Sequence, residues 1–228
     1  MSPSGRAISV TRRIPKGRLE AFSDGVFAIA ITLLVLELHV PPVGEALGPA
    51  LLHEWPAYLG YLISFAFIGG SWIAHSTTTR FVRAVDAVWM RLNLLLLLLV
   101  SLLPFTTSLL ATHLNDTDAR TVTVIFGANL TLAAVMVSVL VMYSARTPGL
   151  AADDIAEAEL VEFAKERRFA LVLQAASTGL AVFLPLVAVL VFFAISLLLL
   201  LEPLVRVRRS GPPDDPVDTQ TETRREGH

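Results

Sequence analysis

The chain has 228 residues, of which 54% are hydrophobic and only 17% are charged, and its mean hydropathy is +0.64. Soluble domains carry about 25% charged residues, so this composition predicts an integral membrane protein. The net charge of −2 argues against non-specific nucleic-acid binding, which requires a basic surface. The absence of cysteine excludes disulfides and thiolate chemistry.

Long apolar stretches follow one another along the chain. A helix needs about 20 apolar residues to cross the roughly 30 Å hydrocarbon layer, and four stretches have that length: 19–40, 55–77, 88–111 and 121–143. The last stretch, 169–201, contains Pro185 and would be about 50 Å long as one helix. We therefore divide it into spans at 168–184 and 186–203. The predicted fold is all-α, with six transmembrane helices per chain.

The positions of the lysines and arginines support six spans. With six, both termini and the second and fourth connections lie on one side of the membrane. That side holds all of the 18 Lys and Arg residues except Arg120. The positive-inside rule assigns it to the cytoplasm, whereas five spans would export the basic group at Arg206–Arg209.

The remaining segments are polar. We predict a basic cytoplasmic N-terminus at 1–17, before a transmembrane domain at 18–209. Residues 152–166 have the pattern of an acidic amphipathic helix that leads into the fifth span. Residues 210–228 carry almost no apolar side chains, which predicts a disordered cytoplasmic tail.

Enzyme signatures are missing from the sequence. The histidines do not have metal-binding spacing, and there is no G-x-S-x-G elbow or phosphate-binding glycine loop. We therefore expect neither catalysis nor a bound cofactor. The arginine repeat of a voltage sensor and a TVGYG-like filter are also absent. If ions pass through this protein, the side chains of a helix must line their route.

Polar residues at membrane depth are functional candidates because they are costly there. Asp24 follows Ser23 about one turn inside the first span. Trp72 and His75 share a face of the second span, and Asn93 begins the apolar run of the third. Their similar depth predicts an interhelical hydrogen-bonded cluster. The alternative is a titrating relay through Asp24 and His75, as in a proton-coupled or other small-solute transporter.

The first span begins with Arg18-x-x-x-Phe22-Ser23-Asp24, followed by GVFAIAITLLVLEL. This segment resembles the first helix of the FSD-motif potassium channel family, which comprises the endosomal and lysosomal potassium channel of animals and its bacterial and archaeal homologues. The resemblance continues through Trp72-x-x-His75 and residues 91–105. It therefore covers the first three spans, and the later spans agree only in length and hydropathy.

The resemblance implies a potassium-selective channel without a carbonyl filter, whose pore is lined by the first helix. Prokaryotic members carry one six-span repeat and assemble as tetramers. The implied protein is a homotetramer around a central pore, in the plasma membrane of a prokaryote. Its implied partners are potassium ions, further copies of itself and the lipid bilayer, and no nucleic acid.

One face of the first span has the 3–4 spacing of a helical stripe, formed by Gly25, Ile29, Thr32, Leu33 and Leu36. A helix that faces lipid would show much the same stripe. The resemblance assigns the constriction to Ile29, with Leu33 and Leu36 as further apolar layers. It also associates Thr32 with selectivity, so that potassium passes close to Ile29 and Thr32.

The remaining motif residues are expected to be structural and not to form a filter. At roughly 100° per residue, Asp24 lies about 140° around the helix from Ile29, so both cannot face the same axis. The structural cluster is predicted to contain Arg18, Phe22, Ser23, Asp24, Trp72, His75 and Asn93.

Overall fold

The computed structural model describes residues 16–44, 46–152 and 154–209. Regular structure in these ranges is helical, apart from an isolated backbone bridge between Val82 and Ala151. The helices are α1 (Lys16–Leu33), α2 (Leu47–His53), α3 (Trp55–Phe81), α4 (Ala87–Ser101), α5 (Leu103–His113), α6 (Ala119–Arg146), α7 (Asp154–Leu180) and α8 (Pro185–Arg209).

The first span differs from its prediction at both ends. α1 begins at Lys16 and continues into one 3₁₀ turn over Leu34–Glu37. The backbone becomes extended at Leu38, with φ −88° and ψ 107°, so the helix stops before the predicted end at residue 40. Pro41 and Pro42 follow, and proline is incompatible with a helix interior. The short helix α2 in the next connection was not predicted.

The third predicted span, 88–111, is divided into two helices that meet at Leu102. Pro104 lies in the first turn of α5, where its missing N–H is tolerated. A proline at this position removes a helical hydrogen bond to the preceding turn, which explains the division. The start of α4 is capped by Asp86, whose side chain accepts a 2.8 Å bond from the Trp89 backbone N–H.

The C-terminal half contains three long helices. α6 covers the predicted span 121–143 and extends it at both ends. α7 is continuous from Asp154 to Leu180, so the predicted amphipathic segment and the start of the fifth span are one helix. A turn at 181–184 separates α7 from α8, which begins at Pro185. The chain therefore breaks where the proline predicted a break.

Four segments within the described ranges are long and apolar enough to cross a membrane: Lys16–Glu37, Trp55–Phe81, Ala87–His113 and Ala119–Arg146. The apolar part of α8, Pro185–Leu201, is shorter. The predicted all-α fold is thereby confirmed for the described residues.

Glycines allow α8 to pack closely against α3 and α6. A Cβ atom on Gly70 of α3 would lie 3.1 Å from the backbone of Leu199. A Cβ on Gly127 of α6 would lie 2.5 Å from the ring of Phe192. Small residues permit such close approach between membrane helices, so α3, α6 and α8 form a tightly packed scaffold.

α1 lies against the rest of the bundle with one face only. The buried residues of α1 and of the 3₁₀ turn after it recur every three or four positions, which places them on one side: Leu19, Ser23, Phe27, Ala30 and Leu34. This side packs against α3, α4 and α5. Of the four apolar segments, α1 is the least buried, at 28% of its membrane window against 44–56% for the others.

Basic residues gather at one end of the bundle, which we call the basic end. The start of α1, the end of α3, the start of α4 and the end of α6 meet there. Among the described side chains, this end holds Lys16, Arg18, Arg80, Arg83, Arg91, Arg146, Lys165, Arg167 and Arg168. Arg120, at the start of α6, is the exception within the described ranges.

Two connections are joined by their backbones at the basic end. The Arg83 N–H donates to the Leu150 carbonyl at 2.8 Å, and the Ala152 N–H donates to the Phe81 carbonyl at 2.9 Å. We call this contact the loop pairing. It ties the α3–α4 connection to the α6–α7 connection.

Candidate pore helix and its anchor

A buried chain of hydrogen bonds connects α1 to α3 and α4. The Asn93 amide nitrogen donates to Ser23 Oγ at 2.9 Å, and Asn93 Oδ1 lies 2.8 Å from His75 Nε2. Because an amide oxygen only accepts, this second bond requires the hydrogen on Nε2. All three side chains are at most 1% exposed. We call Ser23, His75 and Asn93 the anchor.

Aromatic rings extend the anchor towards α6. The rings of Phe27 and Trp89 lie 5.7 Å and 6.0 Å from the His75 ring, between centroids. The Trp89 indole N–H donates to Ser144 Oγ at 2.9 Å. Neither Trp89 nor Ser144 was predicted from the sequence. The available signal was that Trp89 lies one helical turn before Asn93 and that a buried indole N–H needs an acceptor.

A second contact between α6 and α4 lies beside the first. The Tyr143 hydroxyl donates to Asp86 Oδ2 at 2.7 Å, while the other oxygen of Asp86 caps α4. Trp89 and Asp86 therefore fix the start of α4 against the end of α6. Since α4 also carries Asn93, these contacts hold the anchor in place.

Asp24 and Trp72 form a separate pair at the surface. The Trp72 indole N–H donates to Asp24 Oδ1 at 2.9 Å, and 43% of Trp72 is exposed. His75 instead bonds Asn93, and no hydrogen bond joins it to Asp24. The structure therefore provides no direct step for a relay between Asp24 and His75.

Arg18 and Phe22 lie outside both groups. Arg18 is exposed and has no side-chain hydrogen bond or ion pair within the described part of the chain. Phe22 is 54% exposed. At 100° per residue, both lie within about 20° of the direction of Ile29. The R-x-x-x-F-S-D motif is thus divided: Ser23 and Asp24 contact neighbouring helices, and Arg18 and Phe22 extend the exposed stripe.

The predicted stripe on α1 is exposed along its whole length. Its members are Gly25, Ile29, Thr32, Leu33 and Leu36, which we call the open face. Ile29 is 61% exposed and Leu36 is 70% exposed. In the single chain, α1 is therefore held on one side and uncovered on the other.

Thr32 supplies the hydroxyl of the open face. Its Oγ1 lies 3.0 Å from the Ala28 carbonyl and 2.9 Å from the Ile29 carbonyl. The hydroxyl hydrogen is used within the helix, so the oxygen lone pairs remain available to accept. Within the described ranges, no group of three or more His, Asp or Glu side chains is arranged to hold a metal ion.

These features define a helical membrane protein whose first helix is anchored on one face and open on the other. A family model described as endosomal/lysosomal potassium channel TMEM175 matches residues 18–104. A potassium channel from Chamaesiphon minutus is 40% identical over 157 residues, which are 67% of this chain and 77% of that protein. The chain belongs to the TMEM175 family.

A solved structure agrees with this assignment. The crystal structure of a lysosomal potassium-selective channel TMEM175 homolog from Chamaesiphon minutus aligns with a TM-score of 0.73 and 35% identity. The alignment covers 82% of this chain and 97% of that one. The human relative, named an endosomal/lysosomal proton channel, is 39% identical over 101 residues, only 20% of its length.

Family membership confirms the resemblance found in the first three spans. The family consists of ion channels and not of enzymes, and it favours the potassium channel over the transporter. The matched residues 18–104 contain the anchor, the Asp24–Trp72 pair and the open face. The roles of the individual site residues stay predictions.

Proposed function

We propose that four copies of this chain form a potassium channel whose central pore is lined by the open face of α1. The observation that carries this proposal is the exposure of Ile29 on a helix whose opposite face is anchored. Cyclic symmetry is the usual way in which identical membrane subunits close around an axis. Four anchored copies of α1 would then cover one another's open faces.

A pore through a single chain fits the packing less well. Protein interiors fill their volume at crystal-like density, and α8 is packed on α3 and α6 too closely for a conduit. Lipid would leave the lone pairs of the Thr32 hydroxyl unused. A pore between copies accounts for both features.

The proposed constriction is a ring of four Ile29 side chains. A narrow apolar ring closes a pore by excluding water. Leu33 forms a further ring about 6 Å along the helix, and Leu36 forms another in the 3₁₀ turn that follows. Opening requires the Ile29 ring to widen until a partly hydrated cation passes. Potassium sheds water more readily than the smaller sodium ion, so this passage penalises sodium more.

Thr32 is proposed to add to the selectivity. It lies about 4.5 Å along the helix from Ile29, and its lone pairs are free to replace lost water around a cation. Potassium would occupy this region only transiently, between Ile29 and Thr32. The anchor and the Asp24–Trp72 pair set the direction of α1, and Arg18 lies at the mouth.

The proposed membrane arrangement has six spans within 18–209, with both termini in the cytoplasm. It is supported by the basic end, where all the described lysines and arginines except Arg120 gather. α7 and α8 would supply the last two spans. The proposed basic N-terminus 1–17 lies mostly outside the described residues, and the tail 210–228 lies wholly outside them. We assign the channel to the plasma membrane of a prokaryote.

Native mass measurement and bilayer recording on the same preparation test the proposal. We expect a fourfold mass in mild detergent, and currents that reverse at the potassium equilibrium potential. Monomers that conduct robustly would contradict the tetrameric pore. A reversal potential that follows the proton gradient and ignores potassium would favour the transporter or a proton channel.

Removal of the Thr32 hydroxyl is expected to weaken selectivity. In Thr32→Ala the oxygen that replaces water is lost, while the anchor on the opposite face of α1 is unchanged, so little assembly should be lost. A loss of about 1 kcal/mol in cation stabilisation corresponds to roughly a fivefold lower potassium-to-sodium permeability ratio. Reversal potentials under mixed-ion conditions measure this ratio.

Thr112→Ala is the matched control. Thr112 is also exposed, and its hydroxyl makes the same type of bond, to the Ser108 carbonyl at 2.9 Å. Its selectivity should equal that of the wild type. Equal permeability ratios in Thr32→Ala and Thr112→Ala would remove Thr32 from the selectivity mechanism.

A further inference from the structure

A groove of about 400 Å³ runs along the outer surface of α6 and α7 at the basic end. Its walls are mostly apolar, and its polar end is formed by the last residues of α6. The lining includes Val135, Val139, Met142, Leu171, Arg146 and Thr147. None of the residues that line the groove belongs to the open face of α1.

The length of the groove matches one leaflet of a bilayer. Val135 and Arg146 are 11 positions apart on α6, or about 16 Å at 1.5 Å per residue. One leaflet contributes about 15 Å of the roughly 30 Å hydrocarbon layer. With Arg146 at the headgroup level, the apolar part of the groove therefore follows the depth of one acyl chain.

Arg146 lines the polar end of the groove, and a second arginine, Arg168, lies one helical turn from the lining residue Leu171. Arg146 is exposed at the end of α6. Arg168 is exposed on α7, one turn before Leu171 and on the same face. Among the described side chains, neither arginine has an ion-pair partner. The carboxylate of Asp86 lies behind Tyr143, where it is occupied by the tyrosine hydroxyl and the α4 cap.

We propose that this groove binds an anionic phospholipid, with an acyl chain between α6 and α7 and the phosphate at Arg146 and Arg168. Guanidinium groups bind phosphate oxygens through paired hydrogen bonds. Basic pockets between membrane helices are a recognised site for acidic headgroups. The proposal depends on the membrane setting of the chain and not on the pore assigned to α1.

Native mass spectrometry of the full chain in mild detergent tests this site, with phosphatidylglycerol and phosphatidylcholine as probes. We expect the wild type to retain phosphatidylglycerol in preference to phosphatidylcholine. Arg146→Gln and Arg168→Gln should each lower phosphatidylglycerol binding about fivefold, the effect of one basic residue near an anionic headgroup.

Arg120→Gln is the matched control, since Arg120 is exposed on the same helix at the opposite end. It should bind phosphatidylglycerol as the wild type does. A second variant, Val139→Phe, fills the apolar part of the groove without a change of charge, and it should also reduce binding. These two results separate the groove from a general effect of net charge.

Two outcomes would overturn the proposal. The first is equal retention of the two lipids, or an equal loss of binding in Arg120→Gln and Arg146→Gln. The second is a groove covered by another copy of the chain. Because the chain has no cysteine, Val139→Cys carries a unique thiol, and efficient cross-linking between copies by a photoreactive reagent attached to that thiol would identify that occupant.

Discussion

Replacement of Ile29 by asparagine is expected to produce a larger unitary conductance and a lower potassium-to-sodium permeability ratio. Four polar side chains at the proposed constriction would keep it wet, because they remove the dewetting barrier of an apolar ring. Water at the ring also lets sodium pass without losing its hydration shell. Single-channel recording of Ile29→Asn measures both quantities, and we expect conductance to rise several-fold.

Leu98→Asn controls for the polar substitution itself. Leu98 is 55% exposed on α4, close to the 61% of Ile29, but it lies on a different helix. Its conductance and selectivity should remain those of the wild type. Wild-type currents in Ile29→Asn would show that the open face of α1 does not line the pore.

Asn93→Leu is expected to cause the largest loss of assembled protein. The two side chains have similar volumes, but leucine leaves His75 Nε2 without its acceptor and Ser23 without its donor. A buried polar group without a partner costs about 1–3 kcal/mol. The folded fraction should fall at least tenfold relative to the unfolded fraction, measured as assembled protein that survives heating before size-exclusion chromatography.

Asn129→Leu is the control, because Asn129 is also buried on a membrane helix. Its Nδ2 donates to Thr106 Oγ1 at 3.1 Å, while its Oδ1 has no partner among the described residues. Thr106 also donates to the helix backbone, so the variant should be nearly neutral. Equal losses in the Asn93 and Asn129 variants would mean that the anchor has no special role.

Asp24→Asn should have a smaller effect than Asn93→Leu. The asparagine oxygen can still accept from the Trp72 indole, and the pair lies at the surface. We expect reduced assembly with unchanged selectivity in the protein that assembles. Altered selectivity with normal assembly would place Asp24 in the pore.

Hydropathy and charge predicted the long helices because a backbone segment buried in lipid can adopt few structures other than a helix. α3 and α6 appear where continuous apolar runs predicted them, each somewhat longer than expected. Pro185 separated α7 from α8 because proline starts a helix more readily than it continues one. The stripe of Gly25, Ile29, Thr32, Leu33 and Leu36 followed directly from helical periodicity.

Other features depend on packing that periodicity does not encode. Pro104 lies inside an apolar run, and its division of α4 from α5 depends on local backbone contacts. The acidic and apolar parts of α7 read as two segments because their compositions differ, although the backbone is continuous.

Long-range contacts were the hardest features to predict from the sequence. Trp89 and Ser144 are 55 positions apart, and neither belongs to a recognisable motif. The similar depth of Ser23, His75 and Asn93 in their spans predicted that they lie close together, and hydrogen bonds join them. Depth did not indicate that Arg18 and Phe22, from the same motif, lie on the other side of α1.

The loop pairing at the basic end should tolerate substitutions but not changes in the length of the paired segments. Its hydrogen bonds use only backbone atoms of Phe81, Arg83, Leu150 and Ala152, so any residue with a free N–H can take most of these places. One residue inserted within 81–83 or 150–152 would shift the register and direct the pairing groups to opposite sides. Homologues of this chain should therefore tolerate substitutions in these two connections, but the number of residues in each connection should stay the same.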